Sequence, residues 1–397
     1  MFTDHIFPGI TIGGNRIYIG IDAHKLSESV CVTDKVGTIL EEYKMDNSEE
    51  NWNKFMKKYS KDDAEIAVES STSGKYVAHL LRDNGFHLHL ANPKELKPVF
   101  KSNKKTDKND ARILARLLRT GDLPESYLPT KEVDELRTAV RYRRSLGEEI
   151  TSIKNKVHAL LAIHGISIEA SDIFGKRSLG KILASSDGLP ETDSIILTDL
   201  ISRFSDLSLR IEKMQDKLAS MGNGIEEVKT LMTIPGIYYY SAIAIYSEIG
   251  DIKRFPDTDH LSSYAGLLPG VDQSGETAIY GHITKSGPSV LRYFIVNSVH
   301  TLIKLSPTFK RVYRKMKKRI GRNRSIIAVA RKLAIVIYNM LEKKKGFVEE
   351  HAFKTLKEKK LKNMAARSAI SHGFSREDME NVIKDIGIHS KSTRLLS

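Results

Sequence analysis

Four carboxylates in the first third of this chain have the types and spacing of a cation-holding cluster. Asp22 ends the apolar run Ile17-Tyr18-Ile19-Gly20-Ile21, and Glu69 ends Glu65-Ile66-Ala67-Val68. Asp107 and Asp110 lie in Lys104-Lys105-Thr106-Asp107-Lys108-Asn109-Asp110-Ala111-Arg112. Residues three apart share a face of a helix. Two acids at strand ends and two on one helix face can therefore converge on a point. Carboxylates crowded among Lys and Arg need a cation to hold them, and oxygen donors favour Mg2+, with Mn2+ also suited, over zinc. A divalent cation so placed polarises a phosphate and stabilises a leaving oxygen. Taken singly, each acid also reads as a turn cap or as a complement to a helix dipole. His24, two residues after Asp22, could be a ligand, but reads rather as a surface histidine or one supporting a ligand from behind.

A second candidate is Ser274, in Asp272-Gln273-Ser274-Gly275-Glu276. A serine in a glycine-flanked turn approaches a phosphate without steric conflict, and becomes a nucleophile once its proton is removed. It is equally an ordinary turn serine. Ser286 and Ser241 are rivals, although Ser241 falls in an apolar helix and reads as packing.

Basic residues surround these groups. Lys104, Lys105 and Arg112 flank the last two acids, and Arg137, Arg141, Arg143 and Arg144 open a long helix. Lys310, Arg311, Arg314, Lys315, Lys317, Lys318, Arg319, Arg322 and Arg324 form the densest run. Lys285, Arg292, Arg331 and Lys332 are further candidates for nucleic-acid contact. Charge runs are commonly solvated faces. Beside an acidic pocket, however, three of them fit a phosphate track that carries no base specificity.

The composition points the same way. The 397 residues suffice for two or three domains, and 63 Lys and Arg against 49 Asp and Glu give a formal charge of +14. That balance favours a polyanionic partner. The single cysteine, Cys31, excludes an intrachain disulfide and CxxC metal sites, and between Val30 and Val32 it reads as a buried strand residue. No apolar segment is long enough to span a bilayer, and the N-terminus lacks a signal-peptide pattern. A cytoplasmic protein without a membrane partner is expected.

The elements that must position the acids follow an α/β pattern. Ile17–Ile21, Ser29–Thr33 and Thr38–Met45 read as a strand meander, followed by a helix near Glu49–Lys58. Glu65–Glu69 is a fourth strand, Lys75–Asn84 a helix, Phe86–Ala91 a fifth strand and Asp107–Thr120 a helix. The result is a mixed sheet. Trp52 packs the first helix onto it. Residues 131–165 and about 194–230 read as long amphipathic helices, a hairpin or coiled-coil arm. Helix, Pro235-Gly236 turn and helix then suggest a helix-hairpin-helix-like element in a mainly α C-terminal region. The boundaries expected are an arm at 1–15, a catalytic domain at 16–128, helices at 129–228, a C-terminal domain at 229–347 and a basic tail at 348–397.

Several stretches resemble the DEDD-type insertion-sequence transposases with a RuvC-like domain, the "IS one-ten" family. They are Gly20-Ile21-Asp22-Ala23-His24-Lys25, Val68-Glu69-Ser70-Ser71-Thr72-Ser73-Gly74, Ala91-Asn92-Pro93 and Lys105-Thr106-Asp107-Lys108-Asn109-Asp110-Ala111. Thr233-Ile234-Pro235-Gly236-Ile237, Tyr264-Ala265-Gly266-Leu267-Leu268-Pro269-Gly270, Gln273-Ser274-Gly275 and Ile283-Thr284-Lys285-Ser286-Gly287 extend the likeness. The run after Glu69 is longer than the family's usual one. The resemblance implies an RNase-H-like, RuvC-type N-terminal fold with Asp22, Glu69, Asp107 and Asp110 as the metal-binding catalytic acids. It implies Ser274 as the nucleophile that forms a covalent protein–DNA intermediate. It further implies donor and target double-stranded DNA, a structured guide RNA, and a homodimer or homotetramer. A Holliday-junction-type metal-dependent nuclease and a non-catalytic nucleic-acid-binding scaffold are the alternatives.

Overall fold

The computed structural model describes residues 16–96, 107–170, 172–274 and 277–348. The expected arm at 1–15, Lys104, Lys105 and nearly all of the expected tail lie outside the described residues. The chain divides into two compact units, residues 1–131 and 132–397.

The first unit is built on a six-stranded sheet. Its elements are β1 (Ile17–Ala23), β2 (Ser27–Thr33), β3 (Ile39–Asp46), α1 (Glu49–Lys58), β4 (Ala64–Glu69), α2 (Thr72–Asp83), β5 (His87–Ala91), α3 (Pro93–Leu96), α4 (Asp107–Thr120) and β6 (Glu125–Ser126). The strand order is β3-β2-β1-β4-β5-β6. β1, β4 and β5 run parallel, and β2, β3 and β6 pair antiparallel, giving the expected mixed sheet. One face carries Ile17, Ile19, Ile21, Val30 and Val32 against Trp52 and Phe55 of α1 and Val77 and Leu81 of α2. Trp52 is buried, and its indole N–H donates to Asn47 Oδ1 at 2.8 Å. α2 begins earlier than the apolar pattern suggests, because Ser71 caps it by accepting the Gly74 amide at 2.9 Å.

The opposite face is covered by α4, which lies unusually close. A Cβ on Gly20 would fall 2.1 Å from Ala111 O and 2.5 Å from the Ala115 amide nitrogen. Cys31, Ala111 and Ala115 are the small neighbours that complete this seam. Burial pushes the Cys31 thiol up to about 11, in keeping with a packed rather than reactive residue.

The second unit is helical apart from one hairpin. α5 (Lys131–Ile163), α6 (Lys176–Ala184) and α7 (Glu191–Gly222) share a core of Leu146, Ile153, Val157, Phe174, Ile182, Leu197 and Phe204. α6 fills the link that glycines mark as irregular in the sequence. A larger core joins α8 (Glu226–Met232), α9 (Tyr239–Ile249), α10 (Thr258–Tyr264), α11 (Ser289–Leu305), α12 (Pro307–Ile320) and α13 (Arg322–Lys343). Between α10 and α11 lies a two-stranded sheet, β7 (Pro269–Ser274) and β8 (Thr277–Ile283), which the sequence pattern does not announce.

The base of α5 is locked to this core by ion pairs. Glu248 is fully buried and accepts from Arg141 Nε at 2.8 Å and Nη2 at 2.9 Å. Arg137 donates to Ser247 O at 3.0 Å. Arg143 and Arg144 stack on Tyr240 and Tyr293, 4.2 and 4.4 Å from the ring centroids. These four arginines hold the unit together rather than standing free as a phosphate track.

The packing of the first unit makes two stability measurements informative. Gly20→Val places a branched side chain in the backbone of α4. It should lower stability by about 1–3 kcal/mol in urea unfolding, by overpacking. Glu28 on β2 is fully buried, and neither carboxyl oxygen meets a hydrogen-bond donor in good geometry. Burial pushes it up from 4.5 to about 7. A carboxyl raised on folding contributes stability below its unfolded value and loses it as pH rises through the folded one. Glu28→Gln should therefore flatten the stability profile between pH 4.5 and about 7. Above that window it should exceed the parent by on the order of 2–3 kcal/mol in denaturant titrations.

Candidate functional site

Sheet register brings the strand-borne site residues into one row. Asp22 pairs with Ser29, and Ser29 with Lys44, so all three project from the same face of β1, β2 and β3. On the other side, the parallel pairing of Ile21 with Val68 makes Asp22 and Glu69 the next residues along neighbouring strands. Glu69 is held by the turn into α2. Its carbonyl accepts the Ser71 amide at 2.7 Å, and a Cβ on Gly74 would sit 1.9 Å from that oxygen. The longer run after Glu69 is thus a capped helix start with a glycine where the chain must pass close.

α4 supplies the other two acids. Asp107 and Asp110 occupy its first turn, Asp107 exposed and Asp110 buried. The helix is pinned over the sheet by the Gly20 contact and by Arg112, whose guanidinium grips Glu42 of β3, with Nη2 2.6 Å from Oε2. Lys108 joins at 3.0 Å. The Arg112 guanidinium beside Glu42 holds its carboxyl down at about 2. Arg112, a candidate for nucleic-acid contact by sequence, is engaged in seating α4.

Asp22 senses the other three carboxylates. Burial pushes Asp22 up to about 6; His24 opposes that rise, while Asp110, Asp107 and Glu69 each add to it. Like charges gathered around Asp22 store repulsion that a divalent cation relieves. The donors are also spaced for one. His24 Nε2 lies 3.2 Å from Asp22 Oδ2 and 3.4 Å from Asp107 Oδ1, and donor atoms of these three residues all lie within 4.8 Å of one another. Adjacent donors around an octahedral ion with bonds of ~2.1 Å are about 3 Å apart. The residues present therefore fit a hard divalent cation.

Of two further residues here, sequence alone sets His24 aside as a ligand and passes over Lys44. His24 belongs to the cluster itself, and its signal is the period of two on a strand, which puts residues 22 and 24 on one face. Lys44 reaches to 3.7 Å from Asp107 Oδ2; its place is unreadable without the register of β3. Beside the cluster, Ser29, Glu42, Lys44, Asp107 and Lys108 line an open pocket of about 620 Å3.

The remaining candidates lie in the second unit. Ser274 ends β7 and pairs with Thr277, at the turn of the β7–β8 hairpin. Lys285 is exposed, with a φ of 54°, in the loop after β8. That loop is fastened to the end of α10 at Gly287, where a Cβ would meet Tyr264 O at 1.9 Å. Arg292 donates to Ala265 O at 3.2 Å and Ser286 O at 3.1 Å, so it ties the same loop down. Arg331 is paired with Asp259 at 2.9 Å, while Lys332, Arg319 and Arg322 are exposed. The Pro235-Gly236 turn between α8 and α9 is present, with Pro235 and Ile237 buried and Gly236 against Thr301 and Leu302 of α11.

Comparison with known proteins matches these two regions to one family. Residues 19–165 fit the family model described as Transposase, of the DEDD type of IS110. Residues 228–314 fit the model described as Transposase IS116/IS110/IS902 family. The chain is 26% identical over 287 residues to the transposase for insertion sequence element IS1111A of Coxiella burnetii, covering 71% of this chain and 79% of that protein. It is 26% identical over 231 residues to the transposase for IS1328 of Yersinia enterocolitica, covering 58% and 68%. It is 24% identical over 256 residues to the transposase for IS1533 of Leptospira borgpetersenii, covering 60% and 71%. Among the described residues, no helix is long and apolar enough to cross a membrane. The two matched regions together span more than half of the chain, the first containing Asp22, Glu69, Asp107 and Asp110 and the second Ser274, and the chain belongs to the IS110 family of insertion-sequence transposases, enzymes that cut and join DNA.

Proposed function

We propose that this transposase moves its element by metal-dependent strand cleavage and exchange, with a serine as the attacking group. The observation that carries the reading is the convergence of Asp22, Glu69, Asp107 and Asp110. The charges of Asp110, Asp107 and Glu69 acting on Asp22, and an all-oxygen set of four carboxylates, suit Mg2+, with Mn2+ also accepted. A cation held there supplies Lewis-acid stabilisation of a phosphate's developing charge. The sheet order, with its central parallel strands and antiparallel β2–β3 edge, supports an RNase-H-like, RuvC-type description of the first unit.

The chain's own residues divide the work. Asp22 and Glu69 present their carboxylates from neighbouring strand ends, and α4 presents Asp107 and Asp110. Lys44 contributes positive charge beside Asp107, where a DNA phosphate would approach. Ser274 Oγ forms the bond to phosphorus as the bond from phosphorus to a deoxyribose oxygen breaks. The serine proton is lost and the leaving oxygen gains one. Attack by a deoxyribose hydroxyl of the exchange partner then reverses the step, freeing Ser274 and joining the strands.

Donor and target duplexes are the partners. α12 and the start of α13 are suited to their backbones. Nine cations fall between residues 307 and 324 with no acid among them. None of the nine forms an ion pair among the described residues, and eight are exposed. A structured guide RNA that selects both duplexes, and assembly as a dimer or tetramer to exchange strands of two duplexes, are parts of the proposal that rest on family likeness. So does a helix-hairpin-helix role for the α8–α9 turn.

Two experiments test the reading. Protein, labelled donor DNA, guide RNA and Mg2+ are mixed and then boiled in detergent. A persistent protein–DNA adduct is expected, lost in Ser274→Ala and in Asp22→Asn while DNA binding is retained. Cleavage without an adduct, indifferent to Ser274→Ala, would instead mark a nuclease that hydrolyses with water. Unchanged activity in Asp22→Asn and without Mg2+ would mark a scaffold. Second, replacing Arg314, Lys315, Lys318 and Arg319 with Gln should weaken DNA binding equally across sequences. It should flatten the plot of log affinity against log salt by about 0.9 for each phosphate that the variant no longer neutralises.

A further inference from the structure

We propose that His24 is a direct ligand of the cation at the carboxylate cluster, and that its imidazole makes this centre prefer Mn2+ and Co2+ over Mg2+. The proposal rests on the metal-holding reading of Asp22 and Asp107, and adds to it a nitrogen donor and a metal preference.

The backbone fixes where the ring can be. β1 and β2 form a tight hairpin whose turn is Lys25-Leu26, and the His24 amide donates to Ser27 O at 3.1 Å. Leu26 O in turn accepts the Asn47 amide at 3.0 Å, which ties the turn to the end of β3. On a strand, residues two apart face the same way, so the hairpin projects His24 over the same face as Asp22.

The donor geometry suits a shared ion. Nε2 stands 3.2 Å from Asp22 Oδ2 and 3.4 Å from Asp107 Oδ1. Both separations match neighbouring corners of an octahedron around one ion, about 3 Å for bonds of ~2.1 Å. A histidine acting only as a charge partner needs to meet one carboxylate. This one meets two from different elements, β1 and α4, with the same nitrogen.

The chemistry of that nitrogen gives the preference. Mg2+ is hard, keeps oxygen donors and dehydrates reluctantly. Imidazole suits first-row transition ions, whose affinity for a nitrogen-containing site rises from Mn2+ through Co2+. One imidazole among carboxylates therefore strengthens binding of those ions while adding little for Mg2+. The four acids alone would not discriminate in this way.

The test uses the full-length protein stripped of metal, as wild type, His24→Ala and Asp22→Asn. Mn2+ binding is read by electron paramagnetic resonance, and Mg2+ binding by competition against Mn2+. Pulsed measurements on bound Mn2+ report the 14N coupling of a coordinated imidazole. The His24 side chain is half exposed (49%), so replacing it should leave the fold intact, which circular dichroism checks. The expected result is a 14N coupling in the wild type that disappears in His24→Ala. Mn2+ affinity should fall about tenfold or more in that variant, while Mg2+ affinity changes by less than about twofold. Bound Mn2+ without the coupling in the wild type, or coupling and affinity unchanged in His24→Ala, overturns the role of His24 and leaves the carboxylate reading standing. No Mn2+ bound by the wild type, or binding undiminished in Asp22→Asn, overturns the carboxylate reading and this inference with it.

Discussion

The close seating of α4 on β1 is the contact on which the candidate site depends. It exists because residue 20 has no side chain. With Ala111 O and the Ala115 amide nitrogen where a Cβ would be, the helix lies closer to the sheet than any other residue at position 20 permits. That depth sets the height of Asp107 and Asp110 above the row that carries Glu69, Asp22, Ser29 and Lys44. The Arg112–Glu42 grip fixes the sideways position of the same helix over β3.

Bringing four carboxylates together is unfavourable in itself, and the fold absorbs that cost locally. Asp22, pushed up to about 6 by burial and by its acidic neighbours, is offset by His24. Lys44 stands beside Asp107. Lys44 thus stands as a counterion to the cluster, and a divalent cation would neutralise the remaining charge. Charge is used differently in the second unit. There Arg137 and Arg141 are engaged by buried Glu248 and its neighbour, while the cations of α12 remain at the surface. The same residue type fastens the fold in one place and offers itself to phosphate in another.

Much of the first unit was legible in the sequence because its signals are local. Glu49–Lys58 and Asp107–Thr120 form as helices with those bounds, each with acids in the first turn and an amphipathic pattern. The strands β1 to β5 follow their apolar runs to within a few residues. Legibility fails where the information is non-local. His24 and Lys44 join the site through register, which no single strand encodes. β7 and β8 are hidden by glycines at 270, 275 and 281, which break the alternation of a hairpin. α12 hides in a run of charge with Phe309 as its one fully buried side chain. Arg137, Arg141 and Arg292 look like surface cations until their carbonyl and carboxylate partners, distant in sequence, are seen.

The central claim is that these four acids are arranged to hold a divalent cation. Crystals of the full-length protein grown with Mn2+ test it directly, through the anomalous scattering of that ion. The account predicts an anomalous peak within bonding distance of Asp22 and Asp107, with Glu69 and Asp110 around it. A map with no peak there, or with Mn2+ bound only elsewhere on the chain, would contradict it.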